Sequence, residues 1–372
     1  MRKVLLCTPY ENKPNVNWGG ISVWANNIIS FAKARVGIDE VLIIPVSYDR
    51  YHNISSKMNT LLRVWYGFVD IRKSIKQTKI LLRQNDIDVI HVCSSASLSL
   101  IKDIYLLFLA KIHRIKYVIH FHFGLIPELQ KKNSLEWRLL KYVVKYADNT
   151  IVMTRDSLMI LKSLNIGNVV FLPNPISDSF SVLLSQMAQK TERVPRRIVY
   201  VGHIVPNKGI KEIIVSCKAI RDLDVRLVGE IPSVEYFNSL KALMDHSATG
   251  TSFSFLGKVS QEDVVKEMLS SELFVFPSYY EGFPNVILEA MACECPIIAS
   301  SVGAIPEMLD INSSPCGVCI PCQDSDALRT AIESLLNDSS LRRDIASKAK
   351  HRVEAEYSTA HLWTKLVKIW DA

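Results

Sequence analysis

Residues 274–300, FVFPSYYEGFPNVILEAMACECPIIAS, contain the most informative pattern of the chain. The apolar run Leu273–Phe276 is typical of a buried parallel strand, and Pro277 ends that strand. A polar loop follows, the spacing of apolar residues from Asn285 predicts a helix, and Ile297–Ala299 predicts a second buried strand. The segment is therefore expected to form one strand–loop–helix–strand unit of a parallel α/β sheet.

The loop of this unit has the features of an anion site. It follows the carboxyl end of a strand, where α/β sheets bind ligands, and the helix that begins at Asn285 offers backbone N–H groups. A phosphate is the anion expected there. Glu281 on the loop and Glu289 on the helix cannot attract a phosphate by charge, so we expect both to accept hydrogen bonds from hydroxyl groups.

Length and composition predict a globular chain of two domains. The sequence has 372 residues, 48% of them hydrophobic and 22% charged, and a single core rarely grows beyond about 250–300 residues. No apolar run reaches the roughly 18–20 residues that span a bilayer. The amino-terminal MRKVLLCTPY has too few apolar residues for a signal peptide and fits a first strand, so a cytoplasmic location is expected.

Basic residues are concentrated in the first half of the chain. The net charge is +7, and residues 1–180 hold 24 lysines and arginines against 13 acidic residues. Segments 61–83 and 131–145 interleave cations with aromatic residues, which is typical of helices that lie on an anionic membrane surface; a solvated basic face fits equally. Nucleic acid is not an expected partner, because the sequence contains no recognisable nucleic-acid-binding module.

Buried strands alternate with helix-length segments along the chain, as in a doubly wound α/β protein. Strands are predicted at residues 4–7, 41–44, 88–92, 117–121, 150–153 and 169–172, and again from residues 197, 225, 252, 273 and 297. The expected organisation is a Rossmann-like domain at 1–176, a polar linker at 177–195, a second Rossmann-like domain at 196–355 and a last helix at 356–372.

Glycines and a lysine stand where predicted strands end. Gly19 and Gly20 separate the first strand from the first helix, at a place where backbone without a Cβ can approach a ligand closely. The strand from Arg197 ends at Gly202, and Lys208 then opens a helix. The ammonium of Lys208 is therefore expected at the crevice, where it can neutralise a diphosphate.

Two histidines mark the end of another predicted strand. His120 and His122 point to the same side of that strand, and Gly124 permits a tight departure after it. His122 is nearer the strand end and is the candidate for the crevice. His120 is interpreted as a structural core histidine, and so is His91, which is taken to end its own strand.

The pair Glu281 and Glu289, with Gly-Phe-Pro directly after the first, resembles the Glu-x7-Glu signature of family-4 retaining glycosyltransferases of the GT-B fold. The resemblance implies two Rossmann-like domains facing each other across a cleft, the first for the acceptor and the second for a nucleotide-sugar. It also implies that the last helix crosses back to the first domain. Glu281 would contact the donor sugar, Glu289 the ribose and Lys208 the diphosphate, with His122 beside the donor sugar and the acceptor.

The same resemblance implies a catalytic group of His122, Glu281 and Lys208 within a larger donor site. The donor-binding residues are Gly19, Gly20, Gly202, His203, Lys208, Gly257, Lys258, Glu281, Gly282, Phe283, Pro284, Asn285, Val286 and Glu289. The sequence departs from the family at His203, where an arginine is usual. Because a neutral imidazole supplies less charge than a guanidinium, stabilisation of the diphosphate would rest more heavily on Lys208.

The implied reaction moves a sugar from a UDP- or GDP-sugar to a hydroxyl of a glycan or lipid-linked glycan, with retention of configuration, in the biosynthesis of a surface polysaccharide such as lipopolysaccharide. No metal or further cofactor is expected, because Lys208 and a helix dipole balance the diphosphate charge. Cys316, Cys319 and Cys322 have metal-like spacing but no fourth ligand nearby. A nucleotide-sugar epimerase of related fold and a catalytically weak membrane-associated scaffold remain as alternatives.

Overall fold

The computed structural model describes residues 1–8, 20–35, 41–46, 60–97, 99–244, 249–311 and 314–372. Within these ranges the chain forms two compact units. One comprises Met1–Pro175 together with Thr359–Ala372, and the other comprises Ile176–Ser358. Each unit is built on a parallel six-stranded sheet with helices packed against it. The doubly wound α/β class predicted from the alternating pattern is confirmed.

The first sheet has the strand order β2-β1-β3-β4-β5-β6, and every neighbouring pair is parallel. Its strands are β1 (Arg2–Cys7), β2 (Val41–Pro45), β3 (Val89–Ser94), β4 (Lys116–Phe121), β5 (Asn149–Val152) and β6 (Val169–Phe171). All six residues of β3 are buried, as expected for a central strand of a parallel sheet that is covered on both faces. The strand order reverses between β1 and β3.

Within the described residues, six helices of the first unit precede the second unit in the chain. They are α1 (Gly20–Ala34), α2 (Thr60–Gln84), α3 (Ser99–Ile112), α4 (Ile126–Lys132), α5 (Leu135–Tyr146) and α6 (Arg155–Ser163). Helix α1 packs on one side of the sheet through Trp24 and Ile28. Helices α3 and α5 bury Leu106, Trp137 and Leu140 on the other side. The first unit therefore has a hydrophobic core on each side of its sheet.

The second sheet has the strand order β14-β11-β10-β7-β8-β9, again with parallel neighbours. Its strands are β7 (Arg197–Val201), β8 (Asp224–Val228), β9 (Ser252–Gly257), β10 (Leu273–Phe276), β11 (Ile297–Ser300) and β14 (Val318–Ile320). A short antiparallel pair, β12 (Asp310–Ile311) with β13 (Ser314–Pro315), stands apart from this sheet. The strand order reverses between β7 and β10.

The remaining helices follow in chain order. They are α7 (Asp178–Met187), α8 (Ile210–Lys218), α9 (Val234–Met244), α10 (Gln261–Ser270), α11 (Asn285–Ala292), α12 (Ile305–Leu309), α13 (Ser325–Asn337), α14 (Ser339–Glu356) and α15 (Thr359–Asp371). Helix α15 belongs to the first unit, where Leu362 and Trp370 join the core on the α1 side. Asn149 Nδ2 donates to the carbonyl of Ile369 at 2.9 Å and ties this helix to β5.

The segment 177–195, expected as a linker, contains helix α7 and belongs to the second unit. Its polar composition conceals one strong anchor, because Phe180 is completely buried. Helix α14 also lies where the sequence indicated no helix; it is largely polar and buries only a narrow stripe of small and aliphatic residues. None of the helices in the described ranges is long and apolar enough to cross a membrane.

Candidate active site

The loops after β7 and β10 are in contact where the strand order of the second sheet reverses. The backbone N–H of Tyr279 donates to the carbonyl of Asn207 at 2.9 Å. The loop after β11 joins them, because the N–H of Ala304 donates to the carbonyl of Gly282 at 2.9 Å. Ligands of doubly wound sheets bind at such a reversal. We call these loops, residues 202–209, 277–285 and 301–304, the charged edge.

Two glycines allow the loops of the charged edge to approach each other. At Gly209 φ is +71°, and an added Cβ would lie 2.1 Å from the carbonyl oxygen of Pro277. At Gly303 φ is +57°, and a Cβ would lie 2.2 Å from the carbonyl oxygen of Glu281. Neither position can take a side chain unless the neighbouring backbone moves. Gly209 therefore sets the spacing between the loop that carries Lys208 and the loop that carries Glu281, and Gly303 sets the spacing between the Glu281 loop and the loop after β11.

Lys208 and Glu281 form an ion pair at the charged edge. Lys208 Nζ donates to Glu281 Oε1, and the two side chains are 22% and 11% exposed. Nζ also lies 5.5 Å from the ring centroid of Phe276, the last residue of β10. A diphosphate carries more negative charge than one carboxylate and is a stronger partner for Nζ. Its binding at Lys208 would release the Glu281 carboxylate to accept hydrogen bonds from sugar hydroxyls.

Helix α11 begins at the charged edge and carries Glu289. Pro284 precedes its first residue, Asn285, and supplies no side-chain cap, so the N–H groups and dipole of the first turn favour an anion at this end. Glu289 lies on the next turn and is half-buried. Burial raises the pKa of its carboxyl to about 7, and no described residue donates a hydrogen bond to it. Its oxygens can therefore accept hydrogen bonds from a ligand.

Glu212 and Tyr279 also belong to this site, although no sequence motif indicates them. Glu212 lies in the first turn of α8 and is 7% exposed. The phenol of Tyr279 faces the Glu212 carboxylate, and burial together with this interaction raises the pKa of Tyr279. The contact ties the loop before Glu281 to the helix after Lys208. No local pattern predicts it, because a glutamate in a helix is ordinarily solvated.

The other predicted donor residues at strand ends lie along the same edge of the second sheet, at the carboxyl ends of its strands. Gly202 and Gly229 are in close contact, since a Cβ on Gly229 would lie 1.8 Å from the carbonyl oxygen of Gly202. His203 is exposed beside them. The carbonyl of Gly257 accepts from the N–H of Gly229 at 2.9 Å, and Lys258 is exposed after it. The loops after β7, β8 and β9 are thus also joined to one another.

The Gly-Phe-Pro motif contributes mainly backbone and packing. Gly282 accepts the hydrogen bond from Ala304 described above. Phe283 is 7% exposed, with its ring centroid 5.8 Å from that of Tyr357, so it anchors the loop in the core of the second unit. Pro284 is buried, and Val286 is half-buried in the first turn of α11.

In the first unit, His122 directly follows β4 and its ring nitrogens are enclosed. Its backbone N–H donates to the carbonyl of Ser94 at 2.8 Å. Its ring stacks on His120 with centroids 3.8 Å apart, as expected for side chains on one side of a strand. Burial lowers the pKa of His122 to about 3, so the imidazole is neutral near pH 7. We call the side chains of His91, His120 and His122 the histidine row.

Two further sequence predictions concern His91 and the Gly19–Gly20 pair of the first unit. His91 lies within β3, which continues to Ser94, whereas the sequence indicated that His91 ends its strand. The strand extends further because Cys93 and Ser94 pair with β4. Gly20 is the exposed first residue of α1, and Gly19 lies outside the described residues.

The cysteines with metal-like spacing do not share one environment. Cys316 is buried, and the Arg352 guanidinium donates to its Sγ at 3.0 Å. Cys319 and Cys322 are exposed. In the described part of the chain, no group of histidine, cysteine, aspartate and glutamate side chains is arranged to hold a metal ion.

Comparisons with known proteins match both halves of the chain. Residues 40–180 match the family described as Glycosyltransferase Family 4, and residues 186–352 match the family described as Glycosyl transferases group 1. The capsular polysaccharide biosynthesis glycosyltransferase CapM of Staphylococcus aureus is 34% identical over 184 residues, which is 47% of this chain and 45% of CapM. The match thus spans about half the length of this curated relative.

Solved structures resemble the chain over its whole length. Sucrose-phosphate synthase from Thermosynechococcus elongatus aligns with a TM-score of 0.75 and 18% identity over 100% of this chain and 98% of that one. HepE of Anabaena, solved in complex with UDP, aligns with a TM-score of 0.70 and 17% identity over 100% of both chains. Similarity at this level of identity concerns the fold alone. It confirms the predicted class, GT-B with two Rossmann-like domains.

Proposed function

The chain belongs to the glycosyltransferases of family 4 and group 1, and on this premise we propose that it transfers a sugar from a nucleoside-diphosphate sugar to a hydroxyl group. The observation that carries the proposal is the meeting of Lys208, Glu281 and the amino end of α11 where the second sheet reverses its strand order. A cation and a helix dipole suit phosphates, and carboxylates suit hydroxyls. A nucleotide-sugar presents both kinds of group.

Lys208 and the first turn of α11 are the proposed binding groups for the diphosphate. Negative charge on the diphosphate grows as the bond to the sugar breaks, so fixed positive groups stabilise the transition state more than the bound donor. Glu281, released from Lys208 by the diphosphate, then accepts hydrogen bonds from the donor sugar. Because Lys208 and the helix dipole balance the charge, the proposed reaction uses no metal ion or further cofactor.

The proposed partner of Glu289 is the ribose of the donor. Two neighbouring ribose hydroxyls can donate to one carboxylate, and hydrogen bonds to charged groups are worth about 1.5–3 kcal/mol. These bonds favour the ionised form, so nucleotide binding is expected to lower the pKa of Glu289 from about 7. HepE was solved with UDP, which supports UDP-sugars as the first donors to test, followed by GDP-sugars.

Retention of the anomeric configuration and a role for His122 complete the proposal. His122 would orient the reacting groups through a hydrogen bond. Because burial lowers its pKa to about 3, it acts as a neutral imidazole and not as a proton carrier near pH 7. CapM is named for capsular polysaccharide biosynthesis, which supports a glycan or lipid-linked glycan of the cell surface as acceptor.

Acceptor-dependent release of UDP or GDP tests the proposed function. Mass spectrometry of the purified protein with a panel of nucleotide-sugars first identifies the donor it retains. We expect nucleotide release only when that donor and a glycan acceptor are both present, and NMR of the product should show the configuration of the donor. Conversion of one nucleotide-sugar into another without acceptor would favour the epimerase. Retention of a donor without turnover on any acceptor would favour the scaffold.

We also propose that the first unit attaches to an anionic membrane surface, and the outer face of α2 supports this. The exposed residues Trp65, Phe68, Arg72, Lys76, Lys79 and Arg83 recur at intervals of three or four. Such spacing puts them on one side of the helix, with aromatic residues at its beginning and cations along the rest. Helices of this kind lie in the interface of a membrane and bind anionic lipids.

Helix α5 presents a similar outer face. Leu135, Arg138, Tyr142, Lys145 and Tyr146 are exposed on it, with Leu135 exposed by 72%. Trp137, which the sequence pattern grouped with the surface aromatics, is only 3% exposed and belongs to the core. Helix α3 lies in contact with both α2 and α5 and exposes Phe108 by 59%. The three helices therefore form one basic and aromatic face, called the basic face below.

A further inference from the structure

The histidine row lies on the side of the first sheet that α1 and α15 cover. His91 and His120 are fully buried, with ring centroids 5.6 Å apart, and the rings of His120 and His122 are 3.8 Å apart. The indole of Trp24 packs against all three imidazoles, with ring centroids 4.9–5.6 Å apart. The row thus connects the interior of β3 with the position directly after β4.

At its inner end the row meets the indole of Trp370 on α15. Trp370 Nε1 lies 3.0 Å from His91 Nδ1. An indole N–H only donates, so His91 Nδ1 must offer a lone pair and the ring proton must be on Nε2. Burial lowers the pKa of His91 to about 3, which agrees with a neutral ring. A single contact from the last helix therefore fixes both the charge and the tautomer of His91.

The other nitrogens of the row have no hydrogen-bond partner within the described ranges. They are His91 Nε2 and both ring nitrogens of His120 and His122. Burial lowers the pKa of His120 and of His122, so each of these rings is neutral with its proton on one of two nitrogens. The dipole of a neutral imidazole changes direction with that choice. In a low-dielectric interior, rings this close favour the tautomers whose dipoles oppose each other.

We propose that Trp370 is a positioning residue for His122, because it fixes the tautomer of His91 and the ring dipoles carry that choice through His120. The ring of His122 is then held in the same tautomer in every molecule. The catalytic consequence rests on the proposed glycosyl transfer. Which tautomer each ring of the row adopts is a property of the protein alone and is measured without substrate.

Long-range proton–nitrogen NMR of the full chain, labelled with ¹⁵N-histidine, reports which nitrogen of each ring carries the proton. In the wild-type protein we expect the His91 proton on Nε2 and one tautomer each at His120 and His122. Trp370→Phe removes the donor, so His91 should become a mixture of tautomers and the ¹⁵N signals of His122 should move toward the average of the two forms. Trp363→Phe is the control, since this ring of α15 packs on Phe31 and Trp370.

Activity gives the second readout. A catalytic group held in two orientations loses part of its positioning effect, so Trp370→Phe is expected to lower kcat about 3–10-fold with an unchanged donor KM. The control variant should match the wild-type kcat within twofold.

Three results would overturn the proposal. The first is a wild-type His91 with its proton on Nδ1, and the second is a tautomer mixture at His122 in the wild-type protein; both are read without any variant, in case Trp370→Phe does not fold. The third is an unchanged His122 signal in Trp370→Phe while His91 changes. Ordered tautomers in a protein that transfers no sugar would refute the proposed function and support the tautomer order.

Discussion

The histidine row of the first sheet contains three titratable rings and no charge, whereas the charged edge of the second sheet pairs a lysine with a glutamate. Both sets stand in parallel sheets of six strands. They differ in their partners. Among the described residues the imidazoles have no counter-charge beside them, so burial removes their charge, while Lys208 and Glu281 are each other's counter-charge. Burial without a counter-charge thus gives neutral imidazole rings. Burial of an ion pair preserves both charges, and a ligand can then replace one member as the partner of the other.

Glu289 lies between these two cases. It is half-buried with no counter-charge from any described residue, and its pKa of about 7 leaves the carboxyl balanced between its two forms near neutral pH. A ligand that donates hydrogen bonds can therefore decide its charge. We therefore expect different effects from mutation of Lys208, His122 and Glu289. A fourth set of mutations, on the basic face, should leave the histidine row and the charged edge unaffected.

The largest effect is expected at Lys208. Lys208→Ala should lower kcat by about 10²–10³ with a smaller change in donor KM, because the lost charge matters most as the diphosphate leaves. Steady-state kinetics with the identified donor and acceptor checks this. The matched control is Lys211→Ala, an exposed lysine in the first turn of α8. A normal kcat with only a raised donor KM would remove Lys208 from catalysis.

His122→Ala should lower kcat by roughly 10², as expected for the loss of one positioned hydrogen-bonding group. Calorimetric affinity for UDP should stay within twofold, because the nucleotide site is assigned to the second unit. His113→Ala, at an exposed histidine after α3, serves as control. The wild-type kcat should show no histidine titration between pH 6 and 8, since burial holds the pKa of His122 near 3. Such a titration, absent from the His122 variant, would contradict the neutral role.

Glu289→Ala should weaken UDP binding about 10–10²-fold, which corresponds to about 1.5–3 kcal/mol for hydrogen bonds to a charged group. Burial raises the pKa of Glu289, so the ionised acceptor increases as pH rises through about 7. Wild-type affinity for UDP is therefore expected to increase several-fold from pH 6 to pH 8 and then level off. Calorimetry on Glu289→Gln should give an affinity for UDP that does not change over the same pH range. Equal pH dependence in both proteins would refute the ribose assignment.

The smallest effect on chemistry is expected from the basic face. Charge reversal at Arg72, Lys76 and Arg83 should abolish sedimentation with anionic vesicles at low salt, because each cation near the surface contributes about 1 kcal/mol. Nucleotide release with a soluble acceptor should not change. Reversal at Lys190, Lys266 and Arg343, exposed cations of the second unit, is the matched control. If wild-type protein never sediments with these vesicles, the membrane proposal fails.

Most of the fold follows from buried strands that the sequence displays directly. The four residues of β10 are completely buried and form the apolar run Leu273–Phe276 that predicts the strand. Helix α7 is not apparent from the pattern, because it lies in a stretch of mixed polar and apolar residues in which Phe180 is the fully buried side chain. Local pattern reports average burial along a segment, and it misses an element with few fully buried side chains.

Strand ends and family motifs in the sequence identify only part of the site. Lys208, Glu281 and Glu289 are found in that way. The pairing of Lys208 with Glu281 is not, because it depends on the close approach of Gly209 to Pro277, which are distant in sequence. The interaction of Tyr279 with Glu212 and the hydrogen bond from Trp370 to His91 likewise join separate elements. Each of these residues, taken alone, is ordinary for its element.

The interlocked loops of the second sheet restrict how this protein can be re-engineered or diverge. Gly209 lies against Pro277, Gly303 against Glu281, and Gly229 against Gly202, each with no space for a single methyl group. A loop grafted from a homologue with another donor preference would collide with neighbours shaped for the original. Donor preference should therefore be exchangeable when the loops after β7, β8, β10 and β11 are transplanted together, and chimaeras that exchange one of them should be recovered mainly as insoluble protein.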